Sequence, residues 1–194
     1  MTSKSKSLLA LMLATVITTT ACSAQWINVA LQDLPVLTQM ALNIATLVST
    51  LASGKQASPA DLAVIQNIST QASRDLNLLQ SLYADYKANP STTTLQKIQN
   101  VISDLNHNLP ALLQSAHISN SVLSARITAA VNLILSTVNN FAALMPNSAP
   151  ATSRKARAAA PPSATDLKKQ WNQQICAASG DAAFDAALAS CVIR

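Results

Sequence analysis

Gly54 and Gly180 are the only glycines in 194 residues, and that scarcity constrains the fold more than any motif. Sheets built from tight hairpins use glycine where the chain must turn with positive φ, so a strand-rich fold is disfavoured. Long runs of Ala, Leu, Gln and Asn without glycine favour helices instead. About half of the residues are apolar, 49%, so a chain of this length is able to bury one substantial core.

Charge is sparse and uniform in type. All eight acids are Asp, with no Glu anywhere, so the polar surface must come mostly from Ser, Thr, Asn and Gln. The formal net charge of +5 overstates any basic character. Lys4 and Lys6 lie at the extreme N-terminus, and Arg154, Lys155 and Arg157 share one short segment. Between residues 22 and 150, Lys55, Arg74, Lys87, Lys97 and Arg126 balance Asp33, Asp61, Asp75, Asp85 and Asp104. A nucleic-acid binder carries a basic face on its folded part; no nucleic-acid partner is expected here.

Four segments carry apolar residues at alternating spacings of three and four, the pattern of helices packed along a seam. The first contains Leu37, Met40, Ile44, Leu47 and Leu51, with Pro35 placed in its first turn and Gly54 as its cap. The second opens at Ser58-Pro59-Ala60-Asp61, a capping side chain followed by a first-turn proline and an acid. Its stripe runs through Leu62, Ile65, Ala72, Leu76, Leu79, Tyr83 and Tyr86, interrupted by Ser69, and Asn89-Pro90 ends it. The third is capped by Ser91 or Thr92 and carries Leu95, Ile98, Ile102, Leu105, Leu109 and Leu112. Pro110 is expected to kink or break it. The fourth starts near Ser119 or Asn120 and carries Leu123, Ile127, Ala130, Ile134, Phe141 and Leu144, with Thr137 on the stripe and Pro146 as the stop.

Short connections force such neighbours to run antiparallel. The fold expected is therefore all-α: an elongated, antiparallel up-down four-helix bundle over 22–145. Residues 146–162, with Pro146, Pro150, Pro161 and Pro162 among Ala, Ser, Arg and Lys, read as a flexible linker. A short C-terminal helical hairpin over 163–194 follows. Its first helix is capped by Ser163 or Thr165 and carries Trp171, Ile175 and Cys176. Ser179-Gly180-Asp181 makes the turn, and the second helix carries Phe184, Leu188, Cys191 and Val192. The linker suggests that bundle and hairpin are separable units.

The first residues read as an address. Lys4 and Lys6 precede the apolar run Leu8 to Ile17, too short to span a bilayer permanently, which is the pattern of a signal peptide over 1–21. The run ends Thr19-Thr20-Ala21-Cys22-Ser23 and resembles the lipobox of bacterial lipoproteins, with Thr19 where an aliphatic residue is usual. The resemblance covers only this N-terminus. It implies a diacylglyceryl thioether on Cys22, with palmitate-type acyl chains, as the new N-terminus and a membrane attachment through that lipid. Ser23 implies sorting to the outer membrane, facing the periplasm. The alternative is ordinary cleavage near Ala24, releasing a free protein.

Of the three cysteines, Cys176 and Cys191 then remain. In an oxidising compartment an even pair suggests one disulfide bond, with two buried thiols as the alternative.

No catalytic constellation stands out. His107 and His117 have no Cys, Glu or Asp at ligand spacing around both, so no metal site or cofactor is expected. Asp104 and His107 share a helix face, where a solvated local pair is the plain reading. No Gly-x-Ser-x-Gly elbow and no phosphate-cradling loop is present. Tyr83 and Tyr86 either line a pocket or, more simply, fill the core. The Arg154–Arg157 cluster either touches anionic lipid or is merely solvated. The expected role is non-enzymatic: a lipid-anchored cell-envelope protein with a structural or interaction function and an unknown envelope protein as partner. The alternative is a carrier or sensor of a small apolar ligand, held where Ser69, Ala72, Ala130 and Thr137 leave room between helices.

Overall fold

A computed structural model describes residues 26–47, 58–116, 118, 120–145 and 162–194 of the chain. Every regular element among them is an α-helix. Six are present: α1 over residues 26–47, α2 (Pro59–Ala88), α3 (Thr92–Ser115), α4 (Ser121–Leu144), α5 (Ala164–Gln174) and α6 (Ala182–Ser190).

The caps explain where the helices begin. Ser58 accepts from the Asp61 amide while the Asp61 carboxylate accepts from the Ser58 amide, a reciprocal capping box with Pro59 in the first turn. Ser91 and Asn120 cap α3 and α4 through the amides of Thr94 and Leu123. A second capping box, Ser163 with Asp166, opens α5.

Helices α1 to α4 form the expected antiparallel bundle. The antiparallel relation of α1 and α2 follows from two contacts. Ser69 Oγ donates to the Ala41 carbonyl at 2.6 Å, and Trp26 packs on Tyr83 with ring centroids 5.5 Å apart. Moving down α1 thus means moving up α2. The connection 89–91 returns the chain directly into α3, and Asn106 of α3 exchanges reciprocal amide hydrogen bonds with Asn139 of α4 at 2.8 and 2.9 Å. Leu37, Met40, Ile44, Leu76, Leu79, Leu105, Leu109, Ile127, Ile134 and Phe141 meet along the axis, all buried. Helix α4 is apolar enough by length and composition to cross a membrane. In this fold its Leu123, Ile127, Ala130, Ile134, Val138 and Phe141 instead form one wall of the core.

Two prolines behave differently from expectation. Pro35 does not start α1, because residue 26 is already helical. Trp26, Ile27, Ala30 and Leu34 extend the buried stripe toward the N-terminus, and their burial outweighs the lost hydrogen bond. Pro35 itself is exposed. Pro110 likewise does not break α3, which continues to Ser115. Leu105 and Leu109 before it are fully buried and Leu112 and Leu113 beyond it pack on the core. Leu51, Gly54, Ser119 and the linker 146–161 lie outside the described residues.

The helices of the C-terminal hairpin form where expected, and they pack on the bundle. Leu167, Trp171, Ile175, Phe184, Ala187 and Leu188 belong to the same buried cluster as the bundle. Asp33 of α1 lies close to the Ala164 amide at the start of α5. Farther along, the Cys191 carbonyl meets Asn43 of α1 and the Ile175 carbonyl meets Arg126 of α4. Helix α5 therefore runs parallel to α1 and antiparallel to α4, covering the groove between them as a fifth helix.

Candidate functional site: the docked disulfide hairpin

The chemistry-bearing residues of the C-terminal segment converge on its junction with the bundle. Cys176 and Cys191 are joined by a disulfide with Cα atoms 6.0 Å apart, an ordinary separation for such a bond. The bridge ties the end of α5 to the end of α6. The turn between these helices needs Gly180, whose φ of 89° is strained for any L side chain. Asp185 then closes the turn from below, accepting from the Ser179 amide at 2.6 Å, the Ser179 hydroxyl at 2.8 Å and the Gly180 amide at 3.2 Å. These bonds hold its carboxyl below the usual carboxylate range. The chain end is fastened too: Asn172 bonds both the amide and the carbonyl of Ile193 at 3.0 and 2.9 Å.

Trp171 is the centre of the junction and is fully buried, 0% exposed. Its indole Nε1 donates to the Cys191 carbonyl at 2.8 Å. The same carbonyl accepts from Asn43 Nδ2 at 2.9 Å. Arg126 closes the other side: its guanidinium donates to the Ile175 carbonyl and lies 5.9 Å from the centroid of the Phe184 ring, a cation–π arrangement.

At the opposite end of α5 stands Asp33, 1% exposed. The capping box at Ser163 and Asp166 uses the first and fourth amides of the α5 start; the Ala164 amide between them lies close to Asp33. One carboxylate oxygen, Oδ2, is buried with no partner among the described residues. Burial raises the Asp33 carboxyl to about 6, and the nearby Ala164 amide offsets only part of that rise.

The other residues singled out in the sequence fall elsewhere. Tyr83 is fully buried, edge-on to Trp26 at 5.5 Å and to Phe141 at 6.5 Å, while Tyr86 lies 6.4 Å from Trp26. These rings pack together at the α1 N-terminal end of the bundle. His107 is exposed and stands at the rim of a surface hollow of about 380 Å³ with Gln71, Asn108, Ala111 and Leu112. Ser69 and Thr137, expected to leave space for a ligand, are 2% and 1% exposed and satisfied, by Ala41 and by the Leu133 carbonyl at 2.8 Å. Ala72 and Ala130 are fully buried between them. Among the described residues no three of His, Cys, Asp or Glu gather at metal-binding distance. Cys22, His117, Arg154, Lys155 and Arg157 lie outside the described residues.

The fold and this junction define an all-α bundle with a disulfide-stapled helical hairpin docked along one groove. No protein-family model matches the chain, and neither the curated proteins nor the solved structures contain a significant match to it.

Proposed function

We propose that this is a lipid-anchored protein of the bacterial cell envelope with a structural or protein-interaction role. The observation that carries the reading is Cys22, placed directly after a signal-like apolar run and the small residues Thr19-Thr20-Ala21. The Cys176–Cys191 disulfide supports it, since such bonds persist in exported rather than cytosolic proteins. Helix α1 is already formed at Trp26, four residues beyond Cys22, so a lipid on that cysteine would hold the bundle by its Trp26–Tyr83–Phe141 end. The docked hairpin then lies along the flank of the bundle, stapled and capped against unravelling outside the cytoplasm. A neutral, Ser-, Thr-, Asn- and Gln-rich surface suits contact with another envelope protein better than contact with a polyanion.

Mass spectrometry of the membrane fraction tests the anchor. The expected product is a chain beginning at Cys22 with a diacylglyceryl modification, lost to the soluble fraction in Cys22→Ser. An unmodified soluble chain beginning at Gln25 contradicts it.

A further inference from the structure

We infer that residues 191–194, just after α6, form an open strand edge that takes up an extended peptide carrying a carboxylate. Cys191 and Ile193 are buried while Val192 between them is 44% exposed, the alternation of a strand with one face on the core. The main chain alternates in step. The Cys191 carbonyl accepts from Trp171 Nε1 at 2.8 Å, and the amide and carbonyl of Ile193 both bond Asn172. Helix α5 therefore closes one edge of the segment. In extended backbone the groups of Val192, and the amide of Arg194, point the opposite way. The Val192 amide, the Val192 carbonyl and the Arg194 amide have no hydrogen-bond partner among the described residues.

There is room beside the segment. A hollow of about 370 Å³ lies between it and α1, lined by Gln39, Asn43, Ser190, Val192, Ile193 and Arg194. Asn43 donates to the Cys191 carbonyl and accepts from Gln39, and Ser190 donates to the Ala187 carbonyl. Lys168 Nζ meets the Arg194 carbonyl oxygen at 2.8 Å, which leaves the Arg194 guanidinium as the uncommitted charge. No acid belongs to this lining among the described residues.

A row of unpaired N–H and C=O groups is a template for one more strand, and peptides are captured on such edges by main-chain hydrogen bonds. Charge decides which peptide. A carboxylate beside Arg194 gains a charge-assisted hydrogen bond, while a basic segment is repelled. The occupant is thus a short acidic segment of another protein in extended conformation. Such an edge gives the protein-interaction role proposed above its surface, and it rests on that reading. A binding test in solution is blind to the lipid on Cys22, so the anchor and the edge fail separately.

Titrating the acetylated, amidated peptide Val-Thr-Val-Asp-Val into the whole purified protein, disulfide intact, tests the edge through amide NMR shifts. The Val192 and Arg194 amides should move downfield and saturate while those of α2 stay in place. Arg194→Gln, or Asn for the Asp of the peptide, should weaken binding by about 10-fold. The two changes together should cost little more than either alone. Methylating the peptide nitrogens one at a time should abolish binding only at alternate residues, because the groups that face the edge recur with period two. No saturable shift at Val192 and Arg194, unchanged binding in Arg194→Gln, or equal loss at every methylated nitrogen overturns the edge. Shifts of the Val192 amide that follow protein concentration without peptide place a second copy there, and overturn it too.

Discussion

Asn43 of α1 and Trp171 of α5 share one acceptor, the Cys191 carbonyl, at 2.9 and 2.8 Å. This buried three-way contact joins the bundle, α5 and the end of α6 at a single atom. Truncating either donor removes one of the two hydrogen bonds to that carbonyl. Asn43→Ala should therefore cost about 1–2 kcal/mol in urea denaturation. Trp171→Ala, which also opens a cavity at the centre of the junction, should cost about 3–5 kcal/mol. Equal stability of Asn43→Ala and the parent would mean that the contact is not formed.

The disulfide spans 15 positions, and closing a loop of that length restricts the unfolded chain by about 3 kcal/mol in the chain-entropy account. Reduction, or the double change Cys176→Ser and Cys191→Ser, should lower stability by about that amount. The loss should show first as faster exchange in α6, whose nine residues cannot hold a helix alone. Ready alkylation of both cysteines in the native, unreduced protein would contradict the bond.

Tyr83 presents the opposite case. Its ring packs between Trp26 and Phe141, yet its hydroxyl is buried without a partner among the described residues, and burial pushes its pKa far above the ordinary tyrosine range. Tyr83→Phe keeps the ring contacts and removes the orphaned group, so it should be neutral or stabilising by about 1 kcal/mol. Tyr83→Ala should cost about 3–5 kcal/mol. A strongly destabilised Tyr83→Phe would show that the hydroxyl has a partner after all.

Acid acts on two other carboxylates with the reverse sign to Asp33. Asp166 and Asp185 both lie below the usual range, Asp166 chiefly through the Ser163 hydroxyl and Asp185 chiefly through the Ser179 amide. Their contribution is present above the unfolded carboxylate range and is lost as pH falls through their lowered values. Asp185→Asn should destabilise the hairpin at pH 7 and lose that effect in strong acid. A penalty that is the same at both extremes would contradict the assignment.

Much of the bundle was legible because its signals are local. Ser58, Ser91, Asn120 and Ser163 are capping residues at fixed offsets from their helices, and all four cap. The prolines misled because proline's preference for a first turn is weak against burial. Trp26, Ile27, Ala30 and Leu34 carry α1 through Pro35, and Leu109 with Leu112 carries α3 through Pro110. Docking of the hairpin was not legible, since Asn43 and Cys191 are 148 positions apart and periodicity says nothing about which faces meet. A trace of it was present all the same. Leu167, Trp171 and Ile175 form an apolar stripe on an otherwise polar helix, and such a stripe requires a partner surface. Asp33 was overlooked for a related reason. It lies four positions before Leu37, on the same stripe, and only a covering element makes an acid there significant.

The most direct test of the account is the thermal melt of residues 22–145 against 22–194. If α5 and α6 complete the core, the shorter chain leaves Asn43 and Arg126 without the Cys191 and Ile175 carbonyls and uncovers the groove between α1 and α4. It should melt at least about 10 °C lower, since each kcal/mol is worth roughly 2–4 °C at this size. Melting of the two chains at the same temperature, with equal helicity, would contradict the docked hairpin and restore it to an independent unit.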